Sequence, residues 1–380
     1  MAFTKRNVAI RRDVAPNGSG NPASATRLTG IRPSPLTSHL VTSTGTPSLD
    51  DLLGGHFGLA LGSCLLIEES GTTDFAGALL RFYAAEGLCH GHVLHIVGVS
   101  EAWARELPGL AESRSNRHLD STKSGEEHMK IAWRYQKPNQ GGEKGSALPN
   151  HTLVTQQTDV QHEPFCHSFD LTKRLAIAAD AKVNYVRLKA NFNPLETVVQ
   201  SLQQALSQSQ PDMVHRLVIP TILSPGMYPP SASQPEVFLR TMHSLRALLR
   251  QHAGRLTAMI TLPLELYPRS SGLVRWAELL SDGVLELTPF PHLMDAATAE
   301  TGNTASGEEQ PQGMLKVHKL PITTERGEGG AGAVNSIGED LSFTLSRRKF
   351  TIRPFSLPPL EGDQEGQKEA GKLTGKDVEF

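Results

Sequence analysis

Short apolar runs alternate with amphipathic helical stretches from Cys64 to Leu287, and this alternation constrains the fold more than any other feature. Cys64–Ile67, Val93–Val97, Leu217–Ile219, Ala258–Leu262 and Val284–Leu287 read as buried strands. Between them, Phe75, Leu79 and Phe82 repeat at near-helical spacing, which predicts a helix over Asp74–Glu86 with Gly87 as its stop. Asn193-Pro194-Leu195-Glu196 offers a cap, a first-turn proline and an acid at the third position. Leu195, Val198, Val199, Leu202 and Leu206 then share one helical face. Phe238, Met242, Leu245 and Leu249 mark a further helix ending near Gly254, and Leu273–Leu280 another. Strand–helix–strand order requires right-handed crossovers, hence a twisted, mostly parallel α/β sheet with helices on both faces. Further on, Leu315–Leu320 reads as a strand. Leu341, Phe343 and Leu345 alternate with polar residues, and Phe350 and Ile352 follow the turn Ser346-Arg347-Arg348-Lys349. That pattern predicts a hairpin with antiparallel strands added at the C-terminal edge.

Composition excludes several classes. With 37 Lys+Arg against 39 Asp+Glu the chain is not a basic nucleic-acid coat,. Its three cysteines, Cys64, Cys89 and Cys166, cannot all pair and have no C-x-x-C spacing, which argues against a disulfide framework,. No apolar run approaches the roughly 18 residues of a membrane span. The 34 glycines and 25 prolines indicate long loops and tails,. Residues 1–29 read as a disordered basic arm, 30–360 as the α/β domain with insertions at about 137–164 and 295–313, and 361–380 as an acidic tail,.

The most informative segment is Ser43-Thr44-Gly45-Thr46-Pro47-Ser48-Leu49-Asp50-Asp51-Leu52-Leu53-Gly54-Gly55, which leads through Gly62 into the strand Cys64–Ile67. It resembles the entry of RecA/KaiC-like ATPases, where a phosphate-binding loop G-x-x-x-x-G-K-[ST] follows. In such a loop glycines let backbone N–H groups wrap phosphates, the lysine neutralises them, and the hydroxyl holds Mg²⁺. Aligned from the strand end, this chain has Glu68 at the first glycine, Thr73 at the second, Asp74 at the lysine and Phe75 at the hydroxyl, with Gly71 between. Like charges gathered there would repel one another by several kcal/mol at an effective dielectric of about 20. Pro220, after Leu217–Ile219, stands where the Mg²⁺-holding acid is expected. No phosphate chemistry of the chain's own is expected.

Further stretches narrow the resemblance. They are Gly30–Ser34, Ile67-Glu68-Glu69, Met129–Tyr135, Phe165–Leu171, Ile219-Pro220 with Ser224-Pro225, Gly313–Pro321, and Leu341–Phe350 closing on Leu357-Pro358-Pro359. In this order they resemble the family of fourth Elongator subunits, over about residues 30–360. One departure is His56-Phe57, which interrupts the third glycine before Gly58. The resemblance implies a RecA-like subunit without a working phosphate loop, in an alternating hetero-hexameric ring with Elongator subunits five and six. The ring binds tRNA and releases it on ATP hydrolysis. The remainder of the complex modifies wobble uridine at carbon 5, in the cytoplasm and also the nucleus. It implies no cofactor of the chain's own, and ATP only at interfaces with partner subunits. A RecA-like recombination accessory subunit without its own ATPase activity is the alternative.

Candidate contacts follow from residue chemistry. Phosphates need cations, which singles out Arg347, Arg348 and Lys349 in the hairpin turn, and Arg11, Arg12, Arg27 and Arg32 in and beside the arm. Lys130, Trp133 and Arg134, with Tyr135, combine cations with aromatics and suit stacking or a subunit interface. Arg81, Arg134 and Arg275 are candidates for an arginine reaching a neighbour's nucleotide. His90-x-His92-x-x-His95 and Cys166-His167 with His162 each lack zinc spacing, and His92 and His95 point to opposite faces of a strand, so a metal is set aside.

Overall fold

The computed structural model describes residues 29–53, 57–111, 164–189, 193–291, 310–321 and 340–355. The first half contains β1 (Ile31–Pro33), β2 (Leu40–Thr42), α1 (Pro47–Leu52), β3 (Leu59–Ala60), β4 (Cys64–Glu69), α2 (Phe75–Cys89), β5 (Val93–Val97), α3 (Glu101–Ala104), β6 (Pro108–Leu110), β7 (Phe169–Arg174) and β8 (Val183–Val186). The second half contains α4 (Glu196–Gln208), β9 (His215–Ile219), α5 (Pro235–Gln251), β10 (Leu256–Pro263), α6 (Gly272–Leu280), β11 (Gly283–Pro289), β12 (Gly313–Lys319), β13 (Leu341–Leu345) and β14 (Phe350–Pro354).

Nine of these strands form one sheet in the order β14-β13-β12-β11-β4-β10-β9-β5-β8. From β11 to β8 every neighbour runs parallel. From β11 to β14 the pairing is antiparallel. The expected α/β sheet with antiparallel strands at the C-terminal edge is thus observed. Alternate side chains of β4 feed two cores, as the two-residue period requires. Cys64 and Leu66 join Leu202 of α4, Phe238 and Met242 of α5 and Val274 of α6. Leu65 and Ile67 join Leu49 of α1 and Leu79, Phe82 and Tyr83 of α2. Helices therefore cover both faces.

Two helix boundaries differ from the sequence expectation. Helix α2 runs through Gly87 to Cys89. Gly87 is an interior position where Arg216 lies against the helix: a Cβ there would sit 2.7 Å from Arg216 Cδ. Helix α4 begins at Glu196, after a turn over Pro194-Leu195, with no side-chain cap. Asn193 spends its amide on the Glu196 carboxylate, at 3.0 Å, rather than accepting from a helix N–H. The small sheet β1-β2-β3 and β6 had no clear signal in the sequence, because their strands are too short to show a period, and β7, six residues long, carries only two apolar side chains.

At the interrupted glycine turn, residues 54–56 lie outside the described set. Phe57 and Gly58 carry φ of 54° and 147°, and Arg32 donates to the Phe57 carbonyl at 2.8 Å. Among the described residues no helix is long and apolar enough to cross a membrane.

Candidate functional site: a filled phosphate loop and its surroundings

Strand β4 delivers residues 68–75 to the N-terminus of α2, where four backbone N–H groups lack helical partners. The neighbouring strand supplies the missing acceptor. Glu69 Oε1 accepts from the Thr73 hydroxyl at 2.6 Å and from Phe75 N at 3.0 Å. Its Oε2 accepts from Ala76 N at 2.8 Å. Burial raises the Glu69 pKa against the lowering pull of these bonds. A carboxylate so placed meets the helix terminus as a bound anion would. The space left between Glu69, Thr73, Thr221 and Thr261 is about 40 Å³. That is room for a few water molecules at about 10–15 Å³ each, and far too small for a triphosphate.

Each altered loop position has its own contacts. Glu68 is fully buried and lies 3.5 Å from Arg269. Arg269 also meets Glu278 at 2.6 Å and Glu286 at 3.7 Å. Burial first, and the Glu278 charge second, push Glu68 up to about 8, so it is largely protonated at neutral pH,. Gly71 has φ 92°, and its N–H donates to Glu265 at 2.7 Å. Asp74 turns back over Gly77 and pairs with Arg81 at 2.8 Å. Phe75 packs edge-on against Phe343 of β13, with ring centroids 4.9 Å apart. Pro220 ends β9, and its carbonyl accepts from Tyr228 Oη at 2.8 Å.

A Glu69→Ala variant is expected to lose about 2 kcal/mol in urea unfolding, because two helix N–H groups and a hydroxyl lose their acceptor. An unchanged midpoint would mean that water serves them equally well.

The other candidates scatter. Lys130, Trp133 and Arg134, with Tyr135, Arg11, Arg12, Arg27 and His162, lie outside the described residues. Arg81 is committed to Asp74 and approaches Glu106 at 3.7 Å. Arg275 is 68% exposed, with Glu278 4.0 Å away. Arg347 donates to Asp170 of β7 at 3.0 Å and its carbonyl accepts from Leu171, which fastens the hairpin turn to that strand. This bond, followed by that from Thr172, holds the Asp170 carboxyl well below the usual carboxylate range. Arg348 stands 3.9 Å from the same carboxylate. With Lys349 it lines an open groove of about 590 Å³, together with Leu110, Cys166, His167 and Phe169.

Sequence reasoning overlooked a buried polar layer behind the loop. Asp50, the acid of the entry segment, accepts from Ser43 Oγ at 2.6 Å, Thr44 Oγ1 at 2.7 Å and Thr44 N at 2.8 Å. Burial outweighs these bonds and lifts its pKa to about 6. Gly45 beside it has φ 76°, and a Cβ there would lie 2.5 Å from the Phe82 carbonyl, so only glycine passes,. The Arg216 guanidinium is fully buried among Thr42, Ser43, Tyr83 and His92. The histidines 90, 92 and 95 go three separate ways: His90 to Glu86, His92 to Arg216, and His95 to His215. The serine-threonine-glycine spacing hinted at the first of these features; nothing local announced the others.

Comparison with known proteins adds the identity. Residues 24–380 match the model of the PAXNEB protein family. The chain is 36% identical to Elongator complex protein 4 of Schizosaccharomyces pombe, over 90% of this chain and 91% of that protein. It is 28% identical to Elongator complex protein 4 of Saccharomyces cerevisiae, covering 87% and 76% of the two chains. Identity to the human protein of that name is 27%, covering 94% and 86%. The chain belongs to the PAXNEB family, that of Elongator complex protein 4, and so has a role in the Elongator complex.

Proposed function

We propose that this chain is a non-catalytic, RecA-like subunit of a hetero-hexameric ring with Elongator subunits five and six. In this reading the ring assists tRNA binding and release while the rest of the complex modifies wobble uridine at carbon 5, in the cytoplasm and also the nucleus. The observation that carries the reading is the Glu69 carboxylate seated on the α2 terminus, in the place a phosphate would need. Asp74 and Pro220 support it, since Asp74 at the lysine position cannot neutralise a phosphate and Pro220 at the acid position cannot hold Mg²⁺. ATP then acts only where partner subunits meet. Arg275 is the better-placed candidate to reach a neighbour's nucleotide, because Arg81 is held within its own chain. Arg348 and Lys349, on the groove rim, are the described cations best placed to meet tRNA phosphates,.

Co-expression with subunits five and six, followed by light scattering, tests the assembly. A hexamer with two copies of each subunit is expected, and a monomer that ignores both partners would overturn the reading. The isolated chain is expected not to bind nucleotide. The reconstituted ring is expected to prefer tRNA to single-stranded DNA. The opposite preference would favour a recombination accessory.

A further inference from the structure

We propose that Glu86, His90 and His167 form a divalent-cation site that takes zinc. The two histidine motifs that fail as metal spacings in the sequence each contribute one ring here. Glu86 lies on α2 and His90 follows the helix as its C-cap, one turn further on, so both side chains leave the same face,. His167 comes from the segment that precedes β7. His90 Nε2 lies 2.8 Å from Glu86 Oε1, and His167 Nδ1 lies 3.1 Å from the same oxygen. The three donor atoms all fall within 4.8 Å of one another. A tetrahedral ion with bonds of about 2.0–2.1 Å needs ligand atoms roughly 3.3 Å apart, against 2.8 and 3.1 Å from Glu86 Oε1 to the two rings and at most 4.8 Å between any two donors here, so side-chain rotation must bring the set to the ion,. The Phe165 carbonyl is 3.2 Å from His90 Nε2 and offers a fourth oxygen.

The chemistry of the donors selects the metal. Two imidazole nitrogens and one carboxylate oxygen suit zinc, whereas magnesium and calcium require oxygen ligands. An entry path exists: the His167 side chain is 16% exposed and lines the open groove, while Glu86 is fully buried behind it. On binding, the proton of His90 Nε2 moves to Nδ1. Nδ1 has no hydrogen-bond partner among the described residues, and the bond from Nε2–H to Glu86 is exchanged for the bond to the metal. The nearby Arg216 cation opposes a second positive charge and lowers the expected affinity. A bound ion would fasten the 165–167 segment to α2 at the rim of the groove.

The test uses the full chain, stripped with a chelator and titrated with Zn²⁺ by calorimetry and with Co²⁺ by visible absorption. One equivalent per chain is expected, with the intense absorption of four-coordinate cobalt and a rise in Tm. His167→Gln, at the rim, is expected to weaken binding at least tenfold, and His90→Gln likewise. His243→Gln, on an exposed face of α5, should leave it unchanged. Absence of saturable binding would overturn the site. So would an affinity that His167→Gln does not alter, and this variant remains informative if His90→Gln fails to fold.

Discussion

Arg216→Leu is expected to lower the unfolding free energy by about 3–5 kcal/mol, because four buried acceptors lose a charged donor at about 1–3 kcal/mol each,. The guanidinium is fully excluded from solvent. It donates to His92 Nδ1 at 3.0 Å, the Ser43 carbonyl at 3.0 Å, the Tyr83 carbonyl at 2.9 Å and Thr42 Oγ1 at 2.7 Å. Its carbon also lies 4.6 Å from the centre of the Tyr83 ring. Among the described residues no carboxylate comes within ion-pair distance, so hydrogen bonds compensate the burial of the charge,. Leucine would leave two carbonyls, a hydroxyl and an imidazole without a donor, and each buried orphan costs about 1–3 kcal/mol. Native proteins hold only about 5–15 kcal/mol in all. Urea unfolding should therefore show a sharply lower midpoint, with Arg216→Lys between leucine and the parent because lysine lacks the planar fork. A leucine variant as stable as the parent would show that the network is dispensable.

Acidification is expected to destabilise the chain through His95 and His215. Their rings stack with centroids 5.2 Å apart, and both side chains are buried. The bonds order themselves in one direction. The Asn184 amide faces His95 Nδ1 at 3.5 Å, His95 Nε2 meets His215 Nδ1 at 2.9 Å, and His215 Nε2 meets Ser209 Oγ at 2.8 Å. With Asn184 as donor, each ring is neutral and passes on one proton; a second proton on either ring would set donor against donor. Burial and then the His215 ring depress His95 to about 3. Burial, then Arg255, His252 and Lys182, depress His215 to about 4.

Unfolded rings take up protons near pH 6.5, well above the folded values. Below that pH the unfolded state holds more protons, and stability falls as pH falls. The loss is about 1.6 kcal/mol per ring on going from pH 6.5 to 5. Asp50 and Glu68 act in the opposite sense, because their folded pKa values are raised and folding retains their protons. The comparison must therefore be made between the parent and a His95→Asn, His215→Asn double variant. The variant's unfolding free energy should lack about 3 kcal/mol of the acid loss over that interval. Parallel pH curves for the two proteins would rule out this origin.

Where an element buries a regular stripe, its existence was legible from local spacing. The alternating Leu341, Phe343 and Leu345 announced a hairpin, and β13 and β14 form it because those side chains cover Phe75 and one another. The apolar runs of β4, β5, β9 and β10 announced a parallel sheet, since strands covered on both faces need no polar alternation,. Boundaries were less legible. Gly87 looks like a stop by propensity but lies within α2, because a side chain 129 positions away needs the space. At the site, the loss of the phosphate loop could be read from Asp74 and Phe75, but the identity of its replacement could not. Glu69 was one of several acids near the helix start in the sequence, and only the packing of β4 against α2 singled out its carboxylate as the one on the helix terminus.

The sequence by itself determined the α/β class, the antiparallel edge, the absence of a lysine and hydroxyl at the loop, and the family resemblance. Each of these depends on residue type at short spacing, where periodicity and side-chain chemistry act locally. Tertiary structure alone decided which buried polar groups meet. Arg216 finds His92, Glu86 gathers His90 and His167, and His95 stacks on His215. Except for Glu86 and His90, one helical turn apart, these pairs join β9 to β5 and α2 to β7's approach over separations of 81 to 124 positions. No local spacing encodes them, because a buried polar atom is satisfied by whatever the packed fold brings within hydrogen-bond reach.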